Sequence, residues 1–127
     1  MPTLNRIELI GRLGKDPETH LTTTGKKVCT FSIAVDRHRK NVEGEMKPAT
    51  DWFNVEAWGH LAEVIQQYLH KGRLIYLDGR VQTERKEHEG ESRTTIKVIA
   101  RSMQMLERRP EEGEEPALPE GDDEPAE

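Results

Sequence analysis

Helical spacing stands out once in this chain, and the stretches on either side of it alternate. Leu61, Val64, Ile65, Tyr68 and Leu69 fall at i, i+3, i+4, i+7 and i+8, which makes one apolar stripe on a helix. Lys71 suits the helix C-terminal dipole and Gly72 its C′ position. Upstream, Cys29, Phe31, Ile33 and Val35 alternate with Thr30, Ser32 and Ala34, a period of two that predicts a strand with one buried face. Downstream, Leu74–Leu77 runs on through Gly79 and Val81, and Thr94–Ala100 makes a last strand.

The remaining strands are Arg6–Leu13, ended by the turn residues Gly14-Lys15-Asp16-Pro17, and the run WFNVEAW from Trp52 to Trp58. The order is three strands, one helix, two strands. Gly11 and Gly79 interrupt strands as bends at barrel corners do. The layout predicts an all-β chain with one helix, a five-stranded OB-fold barrel with the helix between strands 3 and 4. Residues 36–50, DRHRKNVEGEMKPAT, break the alternation and read as a long charged loop. Glu87–Glu91 reads as a polar turn or the tip of a longer hairpin.

Charge divides the chain in two. The last 18 residues, from Pro110, hold nine of the 24 acidic residues, none of the 19 basic ones, and four of the seven prolines. Residues 1–109 therefore carry 15 acidic against 19 basic residues, a formal charge of +4 within a chain of net charge −5. The expected organisation is a binding domain over 1–109 and a disordered acidic tail over 110–127. Cys29 sits in an apolar run and is expected to be a core thiol. No apolar stretch nears the roughly 20 residues of a membrane helix, and the N-terminus lacks a signal-peptide pattern. A cytoplasmic protein without membrane contact is expected.

Both tryptophans and one of the two phenylalanines lie within Trp52–Trp58. On a strand, Phe53, Val55 and Ala57 share one face, and Trp52, Asn54, Glu56 and Trp58 the other. The first face is core. Indoles on a polar face are either covered by another element or open to a ligand, and Trp58 could pack under the helix start. Arg37, His38, Arg39, Lys40 and Lys47 precede the run, and Arg80, Arg85, Lys86 and Arg93 follow the helix. Basic segments flanking a tryptophan-bearing strand suit single-stranded nucleic acid, whose bases stack on rings while Lys and Arg follow the phosphates. The candidate binding residues are Trp52, Trp58, His38, Arg37, Arg39, Lys47, Arg80, Arg85 and Lys86. The five histidines show no metal-ligand spacing, and Gly11-Arg12-Leu13-Gly14-Lys15 lacks the P-loop gap and its Ser/Thr. No catalytic residue, metal or cofactor is expected.

Across residues 5–106 the chain resembles the bacterial single-stranded DNA-binding proteins. The resemblance rests on Asn5–Glu18 (NRIELIGRLGKDPE), Phe31–Ala34, Gly44–Lys47, Thr50–Trp52, Trp58–Glu63, Tyr68–Gly72, Tyr76–Gly79 and Gln104–Leu106, in that order and with nearly uniform spacing. It implies an OB fold, a homotetramer, and sequence-independent wrapping of DNA in replication, recombination and repair. The family's stacking aromatics fall on Trp52 and Trp58, and a lysine beside the DNA path on Lys47; Tyr76 matches a family tyrosine that equally suits a subunit contact. Two further family tryptophans are replaced here by His38 and Lys86, which is expected to weaken binding or shift it toward electrostatics. The family tail ends in a hydrophobic Pro-Phe tip that docks replication and repair proteins; this chain ends Asp122-Asp123-Glu124-Pro125-Ala126-Glu127, without it. The missing rings leave a second reading, an oligomeric OB-fold adaptor acting through protein contacts.

Overall fold

The computed structural model describes residues 2–106; the tail expected from Pro110 lies outside them. Six strands and one helix follow in the order β1 Ile7–Leu13, β2 Glu18–Leu21, β3 Lys27–Lys40, β4 Met46–Trp58, α1 His60–Tyr68, β5 Leu74–His88 and β6 Glu91–Met105. Five of the strands close a barrel. β1 pairs with β5, β5 with β6, β6 with β4 in parallel at Val55↔Val98 and Glu56↔Ile99, β4 with β3, and β3 returns to β1 at Arg12↔Ala34 and Leu13↔Ile33. The helix lies between the third and fourth barrel strands, so the OB fold read from the pattern is the fold observed. The sixth strand, β2, adds to the outer edge of β3. Its four residues, between two turns, are too short to show a period.

The inward positions of the alternating segments make the core. Cys29, Phe31, Ile33, Val55, Ala57, Ile75, Leu77, Val98 and Ala100 are buried together with Leu61, Ile65 and Leu69 of the helix stripe and the neighbouring Ala62, while Val64 is half-buried and Tyr68 exposed. Burial raises the pKa of Cys29. No helix among the described residues is long and apolar enough to cross a membrane.

Two glycines let strands cross at close quarters. A Cβ on Gly11 would run into the carbonyl oxygen of Ala34, where β1 leaves β5 for β3. A Cβ on Gly79 would run into the carbonyl oxygen of Ile99, beside the register shift between Asp78 and Gly79. Here the obstacle is backbone, which a rotamer change cannot clear. Gly79→Ala is therefore expected to lower stability by about 1–3 kcal/mol. Urea unfolding with an unchanged midpoint would show that the barrel corner relaxes freely.

Two expectations need correction. Residues 36–50 are a hairpin arm rather than a loop. β3 and β4 stay paired out to Lys40↔Met46, and the turn closes around Asn41, whose Oδ1 accepts the amides of Glu43 and Glu45 at 2.9 Å each. The arm projects beyond the barrel with neither face buried, so it carries no apolar alternation for a pattern to catch. The second arm, β5–β6, reaches His88↔Glu91 and turns through Glu89 and Gly90, both at positive φ, as tight two-residue hairpins require. The other correction concerns Gly72. The helix stops at Tyr68, where Leu69 leaves helical geometry and buries its side chain in the core. Gly72, at φ 89°, serves the following turn, and the Lys71 amide donates to Asp16 Oδ1 at 2.8 Å instead of adjoining a helix end.

Candidate nucleic-acid interface

Strand alternation and register define one outward face across four strands. β3 contributes Val28, Thr30, Ser32 and Ala34, and β4 places Trp58, Glu56, Asn54 and Trp52 directly opposite them. β6 adds Ile99 and Lys97, and β5 pairs Arg80 and Gln82 with these two. The split read for WFNVEAW holds: Val55 and Ala57 are buried and Phe53 packs against the core.

The two indoles on that face differ. Trp52 is 61% exposed. Its cross-strand neighbour is the small Ala34, and the edge of its six-membered ring rests against Gly14. Trp58 is 3% exposed, which overturns the expectation that both rings stand open. It points outward as alternation requires, but Val28 opposite and Ile99 on β6 are apolar and close over it as a small separate cluster. Its Nε1–H donates to Glu56 Oε1 at 3.1 Å. What remains reachable is the floor of a hollow bounded by His20, Thr22, Thr23 and Thr30.

Two more hollows adjoin this one. The first lies between Lys15, Thr30, Ser32, Asn54, Glu56 and Lys97. The second lies between Trp52, Asn54, Ile96 and Lys97, where β4 and β6 diverge below their short parallel pairing. Shared walls join the three into a shallow groove from Trp58 to Trp52. At its centre Lys97 Nζ meets Glu56 Oε2 at 2.5 Å and Glu84 Oε1 at 2.7 Å. Burial opposes the lysine's charge, but the hydrogen bonds and charges of the two carboxylates outweigh it and raise the pKa. The hydrogen bond to Lys97 in turn holds Glu84 below its ordinary value. With Lys15 on the same hollow, two cations stand against two anions, and the middle of the groove carries no surplus positive charge.

The arms hold many of the cations, interleaved with nearly as many acidic residues and divided between faces. His38 and Lys40 share the face of Trp52; Arg37, Arg39 and Lys47 alternate to the opposite face. Arg37 Nε is held by Asp51 Oδ2 at 2.8 Å. Arg39 stands directly across from Lys47, a like-charge pair that destabilises the hairpin unless an anion sits between. On the second arm Arg80 and Lys86 share the face of Lys97, and Lys86 stands across from Arg93. Arg85 alternates to the far side, where its Nε donates to Ser92 Oγ at 2.6 Å. Of the nine residues expected from sequence, the face thus gathers Trp52, Trp58, His38, Arg80 and Lys86, and separates Arg37, Arg39, Lys47 and Arg85.

Pattern reading missed Lys15 and Lys97. Lys97 had a signal, being a cation between the apolar Ile96 and Val98. Lys15, on a turn, had none. Tyr76 lies on the β1–β5 wall, opposite Ile10. Its hydroxyl donates to Asp78 Oδ2 at 2.9 Å, which raises its pKa.

A closed five-stranded barrel carrying an exposed indole in a groove between two arms that bear lysines and arginines has the features of nucleic-acid-binding OB folds. The particular family follows from comparison. The model of the single-strand binding protein family matches residues 4–106, and the chain belongs to that family. It is 42% identical over 114 residues to a single-stranded DNA-binding protein of Thermotoga maritima, covering 88% of this chain and 80% of that one. It is 40% identical over 105 residues to one of Neisseria meningitidis, covering 82% of this chain. The chain spans only about 60% of the length of the latter. Among solved structures, the Plasmodium falciparum SSB complex with ssDNA superposes with a TM-score of 0.77 at 28% identity, over 84% of this chain and 98% of that one.

Proposed function

We propose that this chain binds single-stranded DNA irrespective of sequence and protects it during replication, recombination and repair. The observation that carries the reading is Trp52, an indole 61% exposed at the end of a groove whose flanking arms hold the cations. Bases lie against the ring and along the groove, while phosphates follow His38 and Lys40 on one arm and Arg80, Lys86 and Arg93 on the other, and the strand leaves the groove over the opposite face of the first arm, where Arg39 and Lys47 pair. Trp58 enters only as the floor of its hollow. The reading includes no catalysis, a homotetramer, and a cytoplasmic, nucleoid-associated location. Ile10, 56% exposed and paired across the strands with Tyr76, is offered as a point of subunit contact.

Titrating the full chain with a thymine oligomer at graded salt tests this. Log affinity is expected to fall against log salt by about 0.7 per phosphate neutralised. Lys47→Ala should flatten that slope by roughly one phosphate's worth and leave tryptophan quenching in place. Because it also removes the repulsion from Arg39, it should not lower folding stability. A chain that ignores the oligomer at low salt, yet holds replication proteins, would be the adaptor instead.

A further inference from the structure

We infer that Gly14 is a positioning residue for the DNA-stacking ring. The inference rests on the proposed single-strand binding and goes beyond it by assigning a role to the turn after β1. Gly14 follows Leu13 at the end of β1, and its amide donates to the Ser32 carbonyl at 3.1 Å, which fixes the turn against β3. A Cβ built on Gly14 would run into Trp52 Cζ3 and lie 2.9 Å from Cη2 and 3.2 Å from Ser32 Oγ. The far edge of the indole therefore occupies the space a side chain would need.

Gly14 is not among the glycines at positive φ. Backbone conformation does not call for glycine here; close approach does. The contrast with Gly11 and Gly79 is instructive. There an added methyl meets backbone carbonyls, so the barrel itself would have to move. At Gly14 it meets the tip of a side chain that is mostly in solvent, so the ring can swing away and the fold survives. The bare turn serves the pose of the ring. With Gly14 against its edge, the indole is seated on that side while 61% of the residue stays exposed. A seated ring has less freedom to lose when a base stacks on it.

The test is a cycle between positions 14 and 52, read by affinity for a thymine oligomer. Gly14→Ala alone is expected to weaken binding about tenfold, within the range a stacked base contributes. In the Trp52→Phe background, where the six-membered edge of the indole is gone, the same Gly14→Ala change is expected to cost less than about twofold. A second readout needs no DNA. In the Trp58→Phe background Trp52 is the sole emitter, and Gly14→Ala should lower its anisotropy while the thermal midpoint stays close to that of the parent. Equal losses in both backgrounds would show that Gly14 acts through the backbone and overturn the inference. So would a Gly14→Ala variant that binds normally while Trp52→Ala does not. If the unaltered chain fails to bind the oligomer, the proposed function falls first and this inference with it.

Discussion

Trp58→Ala is expected to lower the free energy of unfolding by about 3–5 kcal/mol. Domains of this size are stable by about 5–15 kcal/mol, so the loss takes a large share of what holds the barrel together. The indole is 3% exposed and packs with Val28 and Ile99, which lie on the two strands flanking β4. Truncation opens a cavity on the outer face and strips both neighbours of their cover. It also removes the donor to Glu56, but that carboxylate keeps Lys97, so no buried anion is stranded. The cost is one of packing, and Trp58→Phe, which refills most of the space, should cost markedly less. Urea denaturation followed by circular dichroism measures both. A Trp58→Ala chain as stable as the parent but tenfold weaker toward a thymine oligomer would show that the ring serves the ligand and not the fold.

The same residue shows where sequence reading succeeds and where it stops. Alternation in WFNVEAW assigned Trp58 to the outward face, and it is there. What alternation along one strand cannot show is what the neighbouring strands bring beside it. Val28 and Ile99 are apolar residues at outward positions, out of phase with Cys29–Val35 and with Val98–Ala100. Two out-of-phase residues are visible in the sequence, but their meeting over Trp58 depends on the register of β3 and on the parallel pairing of β4 with β6. The triad of Lys97, Glu56 and Glu84 is illegible for the same reason, since its members lie on three strands. The barrel itself was legible because burial imprints a period, and Gly11 and Gly79 because strand bends select against side chains. The arms were not, because a hairpin with both faces in water bears no hydrophobic imprint. Its cations can be listed from the sequence, but pairing alone reveals that Arg37, Arg39 and Lys47 turn away from Trp52 while His38 and Lys40 do not.

Trp52→Ala is expected to do the reverse of Trp58→Ala. Affinity for a thymine oligomer should fall by about 1–3 kcal/mol, or about 5–150-fold, with little change in unfolding free energy. The ring is 61% exposed, so its removal uncovers only the small Ala34 and the bare Gly14. Salt separates this term from the electrostatic one. Counterion release weakens phosphate contacts steeply as salt rises, whereas stacking has no ion to exchange. The ratio between parent and Trp52→Ala affinities should hold roughly constant across a salt series in which the effect of Lys47→Ala shrinks. Fluorescence locates the contact directly. Oligomer should still quench the Trp58→Phe chain, where Trp52 alone emits, and should scarcely quench the Trp52→Phe chain. The centre of the groove favours this division: Lys97 is committed to two carboxylates there and Lys15 only balances them, so the middle holds no surplus positive charge to draw a phosphate, and a flat uncharged base can lie there. Quenching that persists after Trp52→Phe and vanishes after Trp58→Phe would place the bases over the covered ring, and the groove would then have to open in order to bind.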